Sequence, residues 1–252
     1  MMHLDRETSP QRALPFVIFM VGRTGSSHLT QSLNAHPEIK AQGEGLGRLQ
    51  NEKRDAAAQL AWARQAFEPQ ENLSAAGFKA KGSQAMKVDG LKALLGEIGP
   101  RVIHMGRRNV VKHAISGMRV PMIQDQEGRA NMRQAKHGEQ RTLPPSTIDP
   151  DDLVAEIQGI EIAQHQLDEY VSHLALPTLR VFYEDLLAHE DETFRSVMEF
   201  LEVPPQPLSS RVRKATPDDL RDAVSNFDEV LDALRGTAYE AMLSESSRYE
   251  VR

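Results

Sequence analysis

The feature that most limits how this chain can fold is an uninterrupted apolar stretch from Phe16 to Val21, followed at once by a polar, glycine-containing turn. Continuous apolarity of this length is typical of a central strand in a parallel sheet, because helices cover both faces of such a sheet. Residues 27–35, behind the turn, have helical character. A strand, a tight turn and a helix form the opening unit of nucleotide-binding α/β folds, so this start predicts a fold of that class.

The same order of elements recurs further along the chain. Residues 101–105 read as a second strand, which a basic turn connects to a helical stretch at 110–118, and residues 179–182 read as a third strand. Strands that alternate with helices predict an α/β fold with a mainly parallel central sheet. No linker divides the chain, so we expect residues 1–252 to form a single domain.

Three other segments are informative. Residues 50–68 have a helical pattern, and Asp149-Pro150 reads as an N-cap followed by proline at the first helical position. The helix behind it carries an apolar stripe that Gln164 interrupts. Residues 121–148 are polar and lack periodicity, which predicts a long loop without regular structure. We expect this loop to be mobile.

Composition excludes several classes of function. The net charge of −6 argues against attraction of the whole protein to nucleic acid or to an anionic membrane. The chain has no cysteine, which excludes disulfides, thiolate nucleophiles and cysteine-based metal sites and fits a cytoplasmic location. The apolar run that ends before Arg23 is too short to span a membrane and lacks the cleavage site of a signal peptide.

The turn behind the first strand has the composition of an anion site. Its glycines permit close approach of the backbone to a phosphate, and the following helix presents free N–H groups and the positive end of its dipole. One arginine adds charge, and three hydroxyls add donors. The predicted ligands are Gly22, Arg23, Thr24, Gly25, Ser26 and Ser27.

Two other nucleotide motifs match poorly. In an ATP or GTP phosphate loop that starts at Gly22, the second glycine would fall at Ser27 and the lysine at His28. A dinucleotide fingerprint also fails, because no G-x-G-x-x-G follows a strand. The glycine-rich residues 43–47 are predicted to follow a helix.

A second basic element lies at the turn after the second strand. Arg108 leaves the strand end, and Ser116 lies about two helical turns later. A guanidinium and a hydroxyl in this arrangement suit a phosphate. Taken alone, the pattern favours a basic surface turn and an unrelated helix serine.

Together, the two elements resemble the sulfotransferase family. GRTGSSHL is similar to the family's 5′-phosphosulfate loop, and RRNVVKHAIS is similar to its 3′-phosphate element, although Val110 and Lys112 replace the usual proline and aspartate. LNAHPEI, FYEDLL, SNFDEVLDAL and GTAYEAML are similar to bacterial carbohydrate-type members. Tyr183 and Glu184, within FYEDLL, are interpreted as mainly structural.

This resemblance implies a phosphate-loop nucleotide-kinase-like fold. It implies transfer of a sulfuryl group from 3′-phosphoadenosine-5′-phosphosulfate to an acceptor hydroxyl, on a carbohydrate or glycolipid, with no metal required. Arg108 and Ser116 would bind the 3′-phosphate, together with Arg213 and Lys214 from a late loop that also contains Arg211. Two alternatives stay open: an atypical phosphate-loop kinase and a catalytically inactive nucleotide-binding module.

Catalysis would then fall to Arg23, which stabilises charge on the leaving phosphate, and to a general base. Glu44 is the predicted base because relatives commonly use a glutamate soon after the first helix. His104 and His113 are its rivals. Lys79 and Lys81 are candidates for contact with the sulfate or the acceptor, but their alternation favours a solvated strand. The mobile loop predicted at residues 121–148 would lie on the acceptor side of the site. The acceptor's identity and the oligomeric state are not readable from the sequence.

Overall fold

A computed structural model describes residues 13–68, 72–127, 143–210, 216–217 and 219–244. Five strands in these residues form one parallel sheet, in the order β2-β3-β1-β4-β5. Central strand β1 therefore lies between β3 and β4. The strands are Leu14–Met20 (β1), Ile39–Gln42 (β2), Ala75–Lys81 (β3), Arg101–Gly106 (β4) and Thr178–Phe182 (β5).

Helices connect the strands and cover the sheet. Those in the first half are Ser26–Leu33 (α1), Gly45–Asn51 (α2), Ala56–Ala66 (α3), Val88–Ile98 (α4), Val110–Met118 (α5) and Val120–Glu127 (α6). Those in the second half are Pro150–Leu174 (α7), Tyr183–Ala188 (α8), Glu190–Phe200 (α9), Phe227–Leu234 (α10) and Glu240–Ser244 (α11). Short 3₁₀ helices span Gly82–Gln84 and Leu220–Asp222. None of the helices in the described residues is both long and apolar enough to cross a membrane.

Alternate side chains of β1 enter two separate cores, as the period of a strand requires. Phe16, Ile18 and Met20 pack on one face with residues of α1 and α9. Val17 and Phe19 pack on the other face with residues of α3, α4 and α7. Burial on both faces explains why this segment is apolar without interruption. A third cluster joins α5, the first half of α7 and α10.

The predicted fold class is confirmed: the chain is α/β, and its central sheet is parallel throughout the described residues. Asp149 caps α7 by accepting the backbone N–H groups of Asp151 and Asp152, with Pro150 at the first helical position, as predicted. The single-domain organisation of residues 1–252 stays a prediction.

Three local predictions were wrong. Strand β2 was missed, because it is a short edge strand of alternating polarity, and residues 43–47 therefore follow a strand rather than a helix. The helix predicted at 50–68 is divided, because Lys53 adopts a positive φ and Asp55 caps a new helix. The start of the predicted loop 121–148 is helical, in α6.

The two ends of that predicted loop are also packed against the rest of the fold. Ile123 is fully buried, Leu143 and Ile148 are nearly so, and Ser146 forms a β-bridge with Val224. Burial of these few apolar side chains stabilises the packed ends, although the segment as a whole is polar. Residues 128–142, the remainder of the predicted mobile loop, lie outside the described residues.

Candidate active site

The predicted site residues meet where three neighbouring strands end. Met20 of β1 lies beside Lys81 of β3 and Met105 of β4, so the turns that follow these strands start at the same edge of the sheet. In open α/β sheets, ligands bind outside the carboxyl ends of the strands. Residues 22–27, the first turn and the start of α1, occupy the middle of this edge.

This first turn has a backbone suited to an anion. Arg23 (φ 67°) and Gly25 (φ 78°) both adopt the left-handed conformation, which is uncommon for arginine. Left-handed residues in a tight turn are typical of backbone concavities that bind anions. Gly25 is also the N-cap of α1, and no side chain caps the first N–H groups of this helix. The helix start therefore has donors that a bound anion would satisfy.

Packing explains why glycine is required at position 25. A Cβ atom there would lie 2.8 Å from Cδ2 of Tyr183, so the aromatic ring fills the space that a side chain would need. Thr24 is fully buried, and its hydroxyl donates to the Val21 carbonyl over 3.0 Å. The hydroxyl of Thr24 thus stabilises the turn. Ser26, the first residue of α1, is 6% exposed.

His113 of α5 forms a hydrogen bond with the first turn. Its Nε2 donates to the Gly22 carbonyl, and its Nδ1 accepts from the Gln164 amide over 3.3 Å. Burial, followed by the charge of Arg107, lowers the pKa of His113 to about 4, so the ring is neutral at physiological pH. With both ring nitrogens engaged, His113 has no nitrogen available to take a proton from an acceptor.

The two predicted anion elements touch each other through Arg23. Its Nε donates to the Ser116 hydroxyl over 3.2 Å, which joins the first turn to α5. Arg107 supports the turn from the end of β4, where its Nη1 donates to the Arg23 carbonyl over 3.3 Å. The Arg107 guanidinium also lies over the Tyr183 ring, 4.4 Å from its centroid.

These two arginines create a positive site in a buried environment. Burial, followed by the charge of Arg107, lowers the pKa of Arg23. Burial also lowers the pKa of Arg107, whose Nε has no hydrogen-bond partner among the described residues. A bound anion would offset the cost of burying two neighbouring cations.

Arg108 differs from the prediction in its present partner. Its guanidinium forms two hydrogen bonds with the Asp185 carboxylate, of 2.7 and 2.8 Å, and stacks on Phe182 at 4.0 Å. The side chain is 39% exposed, unlike that of Arg107. Glu184 accepts the backbone N–H groups of Arg108 and Asn109, which is consistent with the structural role predicted for it.

Glu44 lies at the other side of the first turn, as the N-cap residue of α2 behind β2. Its carboxylate is 3.4 Å from Lys79 Nζ and 3.6 Å from Lys81 Nζ, and it accepts a 2.7 Å hydrogen bond from Gln84. Lys79 Nζ also donates to the Ser27 hydroxyl over 2.8 Å. The predicted base is thus linked through one lysine to the start of α1.

The charges of this group are mutually stabilising. Burial favours the neutral acid of Glu44, but Lys79, Gln84 and Lys81 together outweigh it and lower the pKa of this carboxyl. Burial lowers the pKa of Lys79, although Glu44 opposes this effect. Glu44 is therefore ionised at neutral pH and able to accept a proton. Lys79 is only 6% exposed, which rules out the solvated strand considered for it.

His104, the other rival for the base, is engaged elsewhere. Its ring nitrogens contact Arg180 Nη1, and Nε2 lies 3.3 Å from Asp168. Burial, followed by the charge of Arg180, lowers the pKa of His104 to about 4. None of these contacts involves the first turn. Arg213 and Lys214, predicted to bind the nucleotide, lie outside the described residues, as does Arg211.

Sequence reasoning missed Arg107 and Gln164. Successive strand residues point to opposite faces, so the doublet Arg107-Arg108 at a strand end sends one guanidinium inward. That alternation was the available signal for Arg107. Gln164 was noticed as a polar interruption of the apolar stripe of α7, and its contacts with His113 and the Arg107 carbonyl explain its presence there.

Comparisons with known proteins place this geometry in context. No protein-family model and no curated protein matches the chain. Among solved structures, a sulfotransferase from Alicyclobacillus acidocaldarius has a TM-score of 0.49 and 14% identity, over 92% of this chain and 96% of that one. Mouse sulfotransferase SULT7A1 complexed with PAP has a TM-score of 0.45 and 12% identity, over 92% of this chain and 88% of that one. The chain is thus similar in structure to two sulfotransferases.

Proposed function

We propose that this protein is a sulfotransferase that moves a sulfuryl group from 3′-phosphoadenosine-5′-phosphosulfate to an acceptor hydroxyl. The observation that carries the proposal is the hydrogen bond between Arg23 and Ser116. It brings the phosphosulfate-type turn and the 3′-phosphate-type helix to one place at the edge of the sheet. A donor with phosphate groups at both ends of its ribose requires two anion sites this close together.

In this proposal, residues 22–27 bind the phosphosulfate. The N–H groups at the start of α1 and the guanidinium of Arg23 supply the donors, since Gly25 leaves the helix start without a side-chain cap. Lys79 adds a cation beside Ser27. Arg107 acts through Arg23, whose carbonyl it contacts, and so is a positioning residue.

Arg108 and Ser116 bind the 3′-phosphate in the same proposal. Arg108 exchanges its two hydrogen bonds with Asp185 for two with the phosphate, which its fork of donors suits equally well. Breaking the pair of Arg108 and Asp185 costs little stability, because the pair is partly exposed and an exposed ion pair stabilises the fold little. Arg213 and Lys214 complete the phosphate site as predicted from the resemblance.

The chemical step balances with the groups present. The acceptor oxygen attacks sulfur, the bond between sulfur and the bridging phosphate oxygen breaks, and the acceptor proton passes to the Glu44 carboxylate. Arg23 and the N–H groups of the turn stabilise the charge that develops on the leaving phosphate. The products are a sulfate ester and 3′-phosphoadenosine-5′-phosphate.

Calorimetric titration with 3′-phosphoadenosine-5′-phosphate and with 5′-AMP tests the two-site geometry. We expect the bisphosphate to bind about 10- to 100-fold more tightly, since hydrogen bonds to a charged group contribute about 1.5–3 kcal/mol. Arg108→Ala should remove most of this difference. Asp185→Asn should enlarge it, because it releases Arg108 from its present partner.

Arg64→Ala is the matched control, since Arg64 of α3 forms an equally bidentate pair with Glu97 of α4. It should leave both affinities unchanged. Equal affinities for the two ligands in the unmodified protein would contradict the proposal, and magnesium-dependent turnover of ATP would favour a kinase instead. The carbohydrate or glycolipid acceptor implied by the resemblance stays a prediction.

A further inference from the structure

A pocket of about 350 Å³ opens next to the first turn, between β1, β3, α4 and α7. Its volume falls within the range of about 300–1,000 Å³ that is usual for small-molecule sites. Gly22 and Lys81 line one end of it, so the pocket is continuous with the proposed sulfuryl site. An acceptor bound in this pocket would therefore lie next to the proposed sulfuryl site.

The walls of the pocket are mostly apolar. Three of the four elements contribute apolar side chains to them: Phe19 and Val21 from the β1 side, Val88 and Leu91 from α4, and Leu167 and Tyr170 from α7. Lys81 is the one charged side chain among the described residues that line the pocket. Burial raises the pKa of the Tyr170 hydroxyl to about 12, so this group is neutral.

The surface around the pocket is apolar as well. Of the four large apolar side chains that are exposed in the described residues, three lie in or beside its lining segments: Met86, Val88 and Ile162, with exposures of 49%, 47% and 59%. Ile162 lies one turn before Gln166 of the lining and on the same side of α7. Exposed apolar residues in the segments that line a pocket are typical of a ligand-binding groove.

The charged end of the pocket lies on the catalytic side, and the other polar side chains of its lining are Ser83, Gln166 and Tyr170. Lys81 joins it to Glu44, 3.6 Å away, so a hydroxyl at this end can meet the proposed base. A free sugar, with hydroxyls around its ring, would leave several of them without partners against the apolar walls, which is costly. A molecule with one hydroxyl on an apolar body would place only that group at the polar end.

We propose that the acceptor is an alcohol or phenol with a compact apolar body, which occupies this pocket and presents its hydroxyl between Lys81 and the first turn. This inference rests on the proposed function and revises the acceptor class suggested by the sequence. The sulfuryl group is transferred to that hydroxyl, whose proton passes to Glu44.

Two measurements with 2-naphthol, whose fluorescence reports its binding, test the proposal. The unmodified protein should bind 2-naphthol and sulfate it, in the presence of radiolabelled sulfate donor, faster than glucose. Short n-alkanols should show kcat/KM values that rise about fourfold for each added CH₂ group until the pocket is filled. Ala163→Trp, which fills the pocket from α7, should weaken 2-naphthol binding and its kcat/KM by about tenfold or more.

Ala155→Trp, on the exposed side of the same helix, is the matched control and should change neither value. Val88→Asp is a second variant, at a half-exposed position where folding is tolerant, and should weaken 2-naphthol binding, whereas Leu187→Asp on α8 should not. Unchanged 2-naphthol binding in Ala163→Trp and Val88→Asp, or preferential sulfation of glucose, would overturn the inference. Failure of the proposed function is a separate result, because it appears as loss of the preference for the bisphosphate over 5′-AMP.

Discussion

Replacing His113 by glutamine is expected to reduce the pH dependence of the protein's stability. The folded protein holds this ring neutral, with Nε2 donating to the Gly22 carbonyl and Nδ1 accepting from Gln164. Protonation would place a second donor against the Gln164 amide and a buried charge near Arg107 and Arg23. Glutamine can still donate to the Gly22 carbonyl, but it takes up no proton.

The magnitude follows from the gap between the two pKa values of this histidine. The pKa is about 4 in the folded protein and 6.5 for an unperturbed histidine. Because the unfolded chain binds the proton more readily, the stability that the neutral ring contributes is complete above pH 6.5 and declines as the pH falls towards 4. One pKa unit corresponds to about 1.36 kcal/mol, so the loss is on the order of 3 kcal/mol in total and about 2.5 kcal/mol at pH 4.5.

Urea unfolding of both proteins at several pH values between 7.5 and 4.5 measures this effect. Taking the difference in unfolding free energy between the protein and His113→Gln removes the contribution of all other titrating groups. A packing cost that does not depend on pH shifts this difference by the same amount at every pH. We expect the two free energies to converge by about 2–3 kcal/mol as the pH falls to 4.5. His165→Gln, at an exposed position on α7, is the matched control for the substitution itself. Parallel curves for His113→Gln would refute the reasoning.

Two further substitutions test the turn and the base. Gly25→Ala should destabilise the protein by about 2–4 kcal/mol in urea unfolding, because the left-handed conformation and the contact with Tyr183 both oppose a Cβ atom. Gly99 is also left-handed, but a Cβ atom there would meet no atom within 4 Å, so Gly99→Ala should cost only about 1 kcal/mol. Equal costs for the two substitutions would contradict the packing argument. Glu44→Gln should lower kcat by about 10²–10⁴ with donor affinity retained, while the exposed Glu52→Gln has no effect. Because the pKa of Glu44 is lowered from its usual value, kcat/KM should be flat between about pH 5.5 and 8, and an inflection within this range would argue against Glu44 as the base.

Local sequence was sufficient for the features that depend on few neighbours. The strand at 14–20, the turn behind it and the helices at 110–118 and 150–174 were predicted close to their observed bounds, since periodicity and capping residues act over one or two turns. The edge strand β2 could not be predicted in this way. Its four residues alternate in polarity too briefly to form a pattern, and only the neighbouring strand β3 makes them part of the sheet.

The site shows the same division between local and long-range interactions. By itself, the sequence determined that the turns containing Arg23 and Arg108 each follow a strand, and therefore that both turns lie at one edge of a parallel sheet. It did not place Glu44 at this edge, because β2 was missed. Tertiary structure alone decided their partners: Arg23 meets Ser116, Arg108 pairs with Asp185, and Lys79 links Glu44 to Ser27. The pocket between β1, α4 and α7 is likewise visible only in three dimensions. The physical reason is that hydrogen bonds, ion pairs and cavities depend on distances between atoms that are far apart in sequence, whereas helix, strand and turn propensities depend on adjacent residues.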